Sequence, residues 1–226
     1  NGESPATEGK VELWGLELKE NYQYLKTQIG YVPQDDIVHR ELTVQQSLYY
    51  SAKLRLENRS NTEIDQKIDE VLNTLHISHL KADLVGKISG GQRKRVSIAV
   101  ELLTDPMILF LDEPTSPLDP ETIDQFLKNI KKLAENGTTV VMVTHKPEDL
   151  KYMDSVIFLA ERGHFVYDGR SHNYTQYFDV SSPVEVYSKL TRDVEGGNRE
   201  WQQWIDRFNM EHPDKISSIV NSSNIS

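Results

Sequence analysis

Two short stretches concentrate the residue types that chemistry needs. The first is Ile88-Ser89-Gly90-Gly91-Gln92, followed by Arg93-Lys94-Arg95-Val96. The second, Ile108-Leu109-Phe110-Leu111-Asp112-Glu113-Pro114, is an apolar run that ends in two adjacent carboxylates. A Ser-Gly-Gly turn that opens a helix presents free backbone N–H groups, and its glycines let a phosphate come close to them. Adjacent carboxylates at a strand end point in different directions. Asp112 can hold Mg2+ while Glu113 faces a water nucleophile, or the roles can be reversed. Taken singly, a Ser-Gly-Gly turn is an ordinary N-cap, and a strand end dipping into solvent is an ordinary place for carboxylates. The basic helix start and the strand that follows it turn the balance toward phosphate handling.

Two more residues follow strands, and one of them, His145, would share this edge. Thr144-His145 ends the next strand, Val140 to Val143, and neighbouring parallel strands would bring His145 beside Glu113. Gln34 follows an earlier strand through Pro33, and its amide can bridge a metal-bound water. A lone histidine is usually structural and a lone glutamine an ordinary surface residue. The value of His145 lies in sharing the end of a sheet where open α/β folds bind ligands.

The elements that must position these groups can be read from periodicity. Val11 to Gly15 alternates like a strand, and Gln28 to Pro33 is a second one, stopped by proline. From about 43 to 103 the pattern is helical. Thr43 to Leu56 makes one segment. Ile64, Ile68, Val71, Leu72 and Leu75 share one face of another, with a capping-box-like start at Thr62-Glu63-Ile64-Asp65. A third helix runs from Gly90-Gly91 to about Leu103. Strand 107–111, helix 121–135, strand 138–143, helix 147–151 and strand 155–160 then alternate. A turn at Glu161-Arg162-Gly163 leads to strand 164–167. Apolar runs bounded by helices suggest parallel strands covered on both faces. After about 180 the character changes. Val184, Tyr187 and Leu190 are helically spaced, Gly196-Gly197-Asn198 is a break, and Trp201, Trp204, Ile205 and Phe208 form an aromatic stripe. That stripe reads first as packing of a C-terminal helix on its own domain. Ser217 to Ser226 reads as a frayed tail.

A chain of 226 residues with 37% hydrophobic and 27% charged content can bury one sizeable core, or one core and a small lobe. No stretch reaches the roughly 20 apolar residues of a membrane helix. The net charge of −10 argues against nucleic acid as the main partner. The absence of cysteine excludes disulfides and thiolate metal sites.

The order Gln34, Ser89-Gly90-Gly91-Gln92, Asp112-Glu113, Asp119, His145 resembles the ATP-binding-cassette (ABC) ATPases, with the Q-loop, signature, Walker B, D-loop and H-loop in sequence. The resemblance covers roughly residues 1–180. Gly30-Tyr31-Val32-Pro33-Gln34-Asp35-Asp36, Glu41-Leu42-Thr43-Val44, Leu48 and Tyr50-Ser51-Ala52 look like the G-type (white) subfamily and its bacterial relatives. So do Tyr177-Phe178 and Pro183-Val184-Glu185-Val186-Tyr187. The resemblance implies a P-loop NTPase-like α/β fold, a mostly parallel sheet flanked by helices, with a helical subdomain at about 40–103. Residues 181–226 would be a helical extension toward a membrane domain.

It also implies roles, with ATP and Mg2+ as ligands. Asp112 would bind Mg2+, and Gln34 would sense it. Glu113 would be the general base. His145 would hold the γ-phosphate. Ser89, Gly90, Gly91 and Gln92 would serve the nucleotide of an opposite subunit, and Asp119 would link two sites across a dimer. The partners would be a second ATPase domain and a transmembrane domain, at the cytoplasmic face of the membrane. Ile88 departs from the usual leucine of the signature. Pro117 stands where the D-loop commonly has glycine, and Pro120 stiffens the same loop.

Such ATPases need a G-x-x-x-x-G-K-[ST] phosphate loop. None occurs in the 226 residues. Gly2 to Gly9-Lys10 is a decoy, two residues too long and followed by Val11. The expectation is that the first strand and the P-loop lie upstream of residue 1. The fragment alone would then bind nucleotide weakly or not at all. Two other readings compete: a soluble ABC ATPase acting in DNA repair or on the ribosome, and a non-catalytic remnant used for dimerisation. The acidic charge and the compact helical region argue against the first, and intact Glu113 and His145 argue against the second for the parent protein, while it stays open for the fragment.

Overall fold

A computed structural model describes residues 9–35, 37–56, 58–160, 163–190 and 200–213. The decoy's start, the turn at 161–162, the break at 196–198 and the tail at 217–226 lie outside the described residues. The described chain forms two compact units. One spans 12–145, and the other takes 146–213 together with 9–11.

The first unit begins with a two-stranded hairpin, β1 (Glu12–Leu13) and β2 (Leu16–Glu17). Trp14 and Gly15 both have positive φ, as a two-residue hairpin turn demands. The strand expected over Val11–Gly15 is therefore only two residues long. A short helix, α1 (Tyr22–Leu25), leads into β3 (Ile29–Val32). Three helices follow: α2 (Val44–Arg55), α3 (Asn61–Thr74) and α4 (Gly90–Leu102). They pack on one another. Ile64, Ile68 and Leu72 of α3, Leu48 of α2 and Ile98 of α4 are all fully buried. All three start in a capping box, Thr43 with Gln46, Ser60 with Glu63, and Ser89 with Gln92. The box of α3 thus sits two residues ahead of the expected Thr62, because Ser60 is the hydroxyl three residues before Glu63.

β4 (Ile108–Asp112), α5 (Pro120–Glu135) and β5 (Thr139–Val143) complete this unit. The strands form a parallel sheet in the order β3-β4-β5, with Val32 opposite Leu111 and Asp112 opposite Val143. β4 is central, and its Ile108, Leu109 and Leu111 are buried. β5 stands at an edge, and Val141 and Val143 are 40% and 58% exposed. The expectation of coverage on both faces fails there, because among the described residues β5 pairs on one side only.

The second unit opens with a 3-10 turn at Pro147–Tyr152, where an α-helix was expected. β6 (Ser155–Leu159) then pairs antiparallel with β7 (Phe165–Arg170). α6 (Tyr174–Phe178), α7 (Pro183–Leu190) and α8 (Glu200–Glu211) belong to the same unit. Its core is aromatic. The Phe178 ring lies 5.5 Å from Phe158 and 4.9 Å from Trp204, and Phe165 stacks on Phe208 at 5.9 Å. The aromatic stripe of α8 is thus spent on packing inside this unit. In α7 the buried residue is Val186, whereas Val184 is 56% exposed.

Candidate nucleotide site

The parallel register decides which side chains meet. Because Val32, Leu111 and Met142 are neighbours across β3, β4 and β5, the residues just past them emerge at one sheet end. Gln34, Glu113 and His145 are those residues. The Gln34 amide donates from Nε2 to Glu113 Oε2 at 3.1 Å, and His145 Nδ1 lies 3.1 Å from the same oxygen. Two neighbours therefore hold one carboxylate oxygen. The other, Oε1, accepts no hydrogen bond from the described residues, so its lone pairs are available to a water. Glu113 is about a quarter exposed and His145 mostly exposed.

The backbone at Glu113 is strained. Its φ is +42°, a left-handed conformation that L-residues adopt at a cost of about 1–2 kcal/mol. It persists because both flanks are tied down. Glu113 N–H donates to the Val143 carbonyl at 2.9 Å, and Ser116 N–H donates to the Glu113 carbonyl at 3.1 Å. The turn swings the Glu113 side chain off the strand direction, whereas Asp112 remains the last residue of β4.

Asp112, the last residue of β4, and Gln34, past the end of β3, carry oxygen donors of the type that Mg2+ takes. That ion takes one or two protein ligands and completes its shell with phosphate oxygens and waters. Among the described residues no group of three or more histidines, aspartates or glutamates could enclose a metal by itself.

The Ser-Gly-Gly turn is placed as a helix start. Ser89 is the N-cap of α4, and its hydroxyl accepts from Gln92 N–H at 3.2 Å. Gln92 Oε1 in return accepts from Ser89 N–H at 2.9 Å. Gly91 is glycine for a steric reason. A Cβ there would stand 2.5 Å from Leu118 Cδ2. The loop after Glu113 thus packs directly against the turn. That loop ends at Asp119, which caps α5 by accepting from Thr122 N–H at 3.0 Å, with Pro120 at the first helical position. Burial pulls the Arg95 guanidinium below its ordinary pKa, and the Asp119 carboxylate opposes that shift.

Sequence reasoning missed one residue of this neighbourhood. Lys94 of α4 is fully buried, and its ammonium donates to the carbonyls of Pro33 at 3.0 Å and Gln34 at 2.7 Å. The signal was present. Gly91, Lys94, Ile98 and Leu102 recur at helical spacing on the inward stripe, and a charge in such a stripe needs a partner.

Helices packed beside a central parallel strand, polar side chains gathered at its carboxyl end and a Ser-Gly-Gly helix start define a nucleotide-handling α/β domain. Comparison with known proteins gives the family. A sequence profile of the ABC transporter family matches residues 1–116. The chain is 36% identical over 201 residues to the ABC transporter ATP-binding/permease protein Rv1747 of Mycobacterium tuberculosis, covering 88% of this chain and 23% of that one. It is 32% identical to ABC transporter G family member 1 of Arabidopsis thaliana, covering 91% of this chain and 31% of the relative. It is 40% identical to the broad substrate specificity ATP-binding cassette transporter ABCG2 of Sus scrofa, covering 75% and 26%. The solved structure of cbiO1 from Clostridium perfringens, part of the ABC transporter complex cbiONQ, superposes with a TM-score of 0.69. That match has 26% identity and covers 80% of this chain and 72% of that one. The chain belongs to the ABC transporter family and has the fold of its ATPase domains, and its relatives include both G-family and bacterial members. It spans roughly a quarter to a third of the length of these curated relatives.

Proposed function

We propose that this chain is the core of the ATP-hydrolysing domain of a G-type ABC transporter. The meeting of Gln34, Glu113 and His145 at one sheet end carries the reading. Glu113 is the general base, and its Oε1 takes the proton of the attacking water while Gln34 and His145 fix Oε2. Asp112 and Gln34 would hold Mg2+, which would supply neutralisation of charge on the phosphate oxygens. His145, largely exposed, reaches the γ-phosphate. Ser89, Gly90, Gly91 and Gln92 offer their helix start to a nucleotide on a second copy, and Asp119 lies at that junction. The β- and γ-phosphates need a P-loop, and no G-x-x-x-x-G-K-[ST] occurs in the 226 residues. A membrane domain in the longer polypeptide completes the transporter, which faces the cytoplasm and exports its cargo. Residues 181–226 lead toward that domain. No helix among the described residues is long and apolar enough to cross a membrane.

Glu113→Gln in the longer polypeptide is the test. The amide keeps the shape and loses the base, so hydrolysis should fall roughly hundredfold or more while Mg-ATP is still bound. Hydrolysis at the wild-type rate would sink the reading. The 226 residues by themselves should show no saturable Mg-ATP binding in a calorimetric titration up to about 1 mM, a concentration that reads a free energy of about −4 kcal/mol. Tight binding would show that the phosphate cradle lies within this chain.

A further inference from the structure

α4 grips the strand that delivers Gln34 at two points. Two turns apart on one face of the helix, Lys94 and Glu101 reach the same segment with opposite chemistry. Glu101 Oε2 accepts from Tyr31 N–H at 3.3 Å. Lys94 Nζ donates to the carbonyls of Pro33 and Gln34. The approach is close because residue 30 is glycine. A Cβ there would stand 3.3 Å from Glu101 Cβ and 2.8 Å from Leu109 Cδ1. Arg55 of α2 holds Glu101 Oε1 at 2.8 Å, so the acidic end of the grip is braced from a second helix.

The basic end is unusual in cost and in target. A fully buried ammonium is expensive unless its hydrogen bonds are made, and a hydrocarbon of equal length would pack without that cost. What the cation gains in exchange is directional: two charge-assisted bonds to consecutive carbonyls. Those carbonyls belong to the residue whose side chain holds Glu113 and to the residue before it. The N-terminus of the same helix is the Ser89-Gly90-Gly91 turn, one turn from Lys94.

We infer that Lys94 is a positioning residue that ties the Ser89-Gly90-Gly91 helix to Gln34, so that a displacement of one moves the other and, through Nε2, the carboxylate of Glu113. This rests on the ATPase reading above. Lys94 touches neither nucleotide nor water; it acts through Gln34. In the longer polypeptide, Lys94→Met should lower kcat roughly tenfold, the scale of a displaced catalytic group, with KM for ATP within about twofold. A merely structural role would not produce the second result: in a Gln34→Ala background, Lys94→Met should cause no further loss, because the group it positions is gone. A wild-type kcat for Lys94→Met, or losses that multiply in the double variant, overturns the inference.

If Lys94→Met does not fold, Lys94→Gln, one atom shorter and uncharged, is read in the same cycle. The failure of the ATPase reading is visible separately, as a wild-type protein without hydrolysis or a Glu113→Gln protein at full rate. The tie is then read in the 226-residue chain by amide hydrogen exchange. Lys94→Met should speed exchange at Tyr31 and Val32 roughly tenfold over that of α3. Unchanged exchange there overturns it.

Discussion

Gln34, Glu113 and His145 meet at the open end of a parallel sheet, half in water, while Phe158, Phe178 and Trp204 close a dry aromatic core in the other unit. The first grouping is polar, strained at Glu113 and held by single hydrogen bonds. The second is apolar, unstrained at its centre and held by edge-to-face ring contacts at 4.9–5.5 Å. A site built for chemistry leaves valences open, such as Oε1 of Glu113. A core built for stability leaves few. Even the lysines differ. Lys94 binds the carbonyls of the chemical segment, whereas Lys189 binds those of Phe178 and Asp179 and so finishes α6.

If the contrast is real, substitutions in the two places should have opposite signatures. Phe178→Ala removes a ring that is 0% exposed and touches four aromatic neighbours. It should destabilise the second unit by about 3–5 kcal/mol. Glu113→Gln should leave unfolding within about 1 kcal/mol of wild type, because the amide keeps the shape and the carboxylate is partly exposed. Denaturant unfolding followed by tryptophan emission reads the second unit through Trp201 and Trp204 of α8, and far-ultraviolet circular dichroism reads both units. A Phe178→Ala protein as stable as wild type would break the comparison, and so would a Glu113→Gln protein as unstable as Phe178→Ala.

The sequence was most informative where function and periodicity were local. Neighbouring parallel strands bring their carboxyl ends together, so His145 could be placed beside Glu113 from strand order, whereas the contact of Gln34 with the same carboxylate was not legible. The stripe Ile64, Ile68, Val71, Leu72 was legible because one helix face repeats every 3.6 residues. What escaped depended on partners distant in sequence. β6 and β7 read as strands, yet only their pairing makes them an antiparallel hairpin. Val143 looks like core and is exposed because the described residues leave its edge open. Val184 fitted the helical spacing with Tyr187 and Leu190, yet the packing of the unit buries Val186 instead and leaves Val184 exposed. Lys94 was read as part of a basic cluster because the carbonyls that hold it lie 60 residues away.

A smaller effect probes the aromatic side. The Tyr177 hydroxyl is buried with no hydrogen-bond partner among the described residues. Burial, and after it the negative charge of Glu211, push the phenol up to about 12, against the pull of the Arg207 guanidinium 4.1 Å from the ring. A phenol whose folded pKa is raised contributes stability that is fully present below about pH 10 and is lost as pH rises toward 12. Ultraviolet titration of wild type against Tyr177→Phe should show the missing phenolate step near pH 12. A step near 10 would mean the ring is wet, and the second unit would lose its claim to a dry core.

The smallest effect lies in the helical part of the first unit and tests whether polar groups there are tuned or merely exposed. Glu63 closes the capping box of α3, accepting from Ser60 N–H and from the Ser60 hydroxyl at 2.9 Å each, with Arg59 at 2.9 Å. The Ser60 backbone bond first, then its hydroxyl and Arg59, hold the carboxyl down at about 2. A carboxyl lowered on folding binds fewer protons in the native state than in the unfolded one. Its contribution is therefore complete above the ordinary glutamate value and disappears as pH falls from there to about 2. Glu63→Gln should flatten that part of the stability-against-pH curve and leave the curve above pH 6 parallel to wild type. Carbon-detected NMR of the Glu63 carboxyl gives the midpoint itself. A midpoint at the ordinary glutamate value would mean that the box of α3 is solvated and open. The capped geometry shared by Ser60 and Ser89 would then say nothing about how firmly either helix start is held.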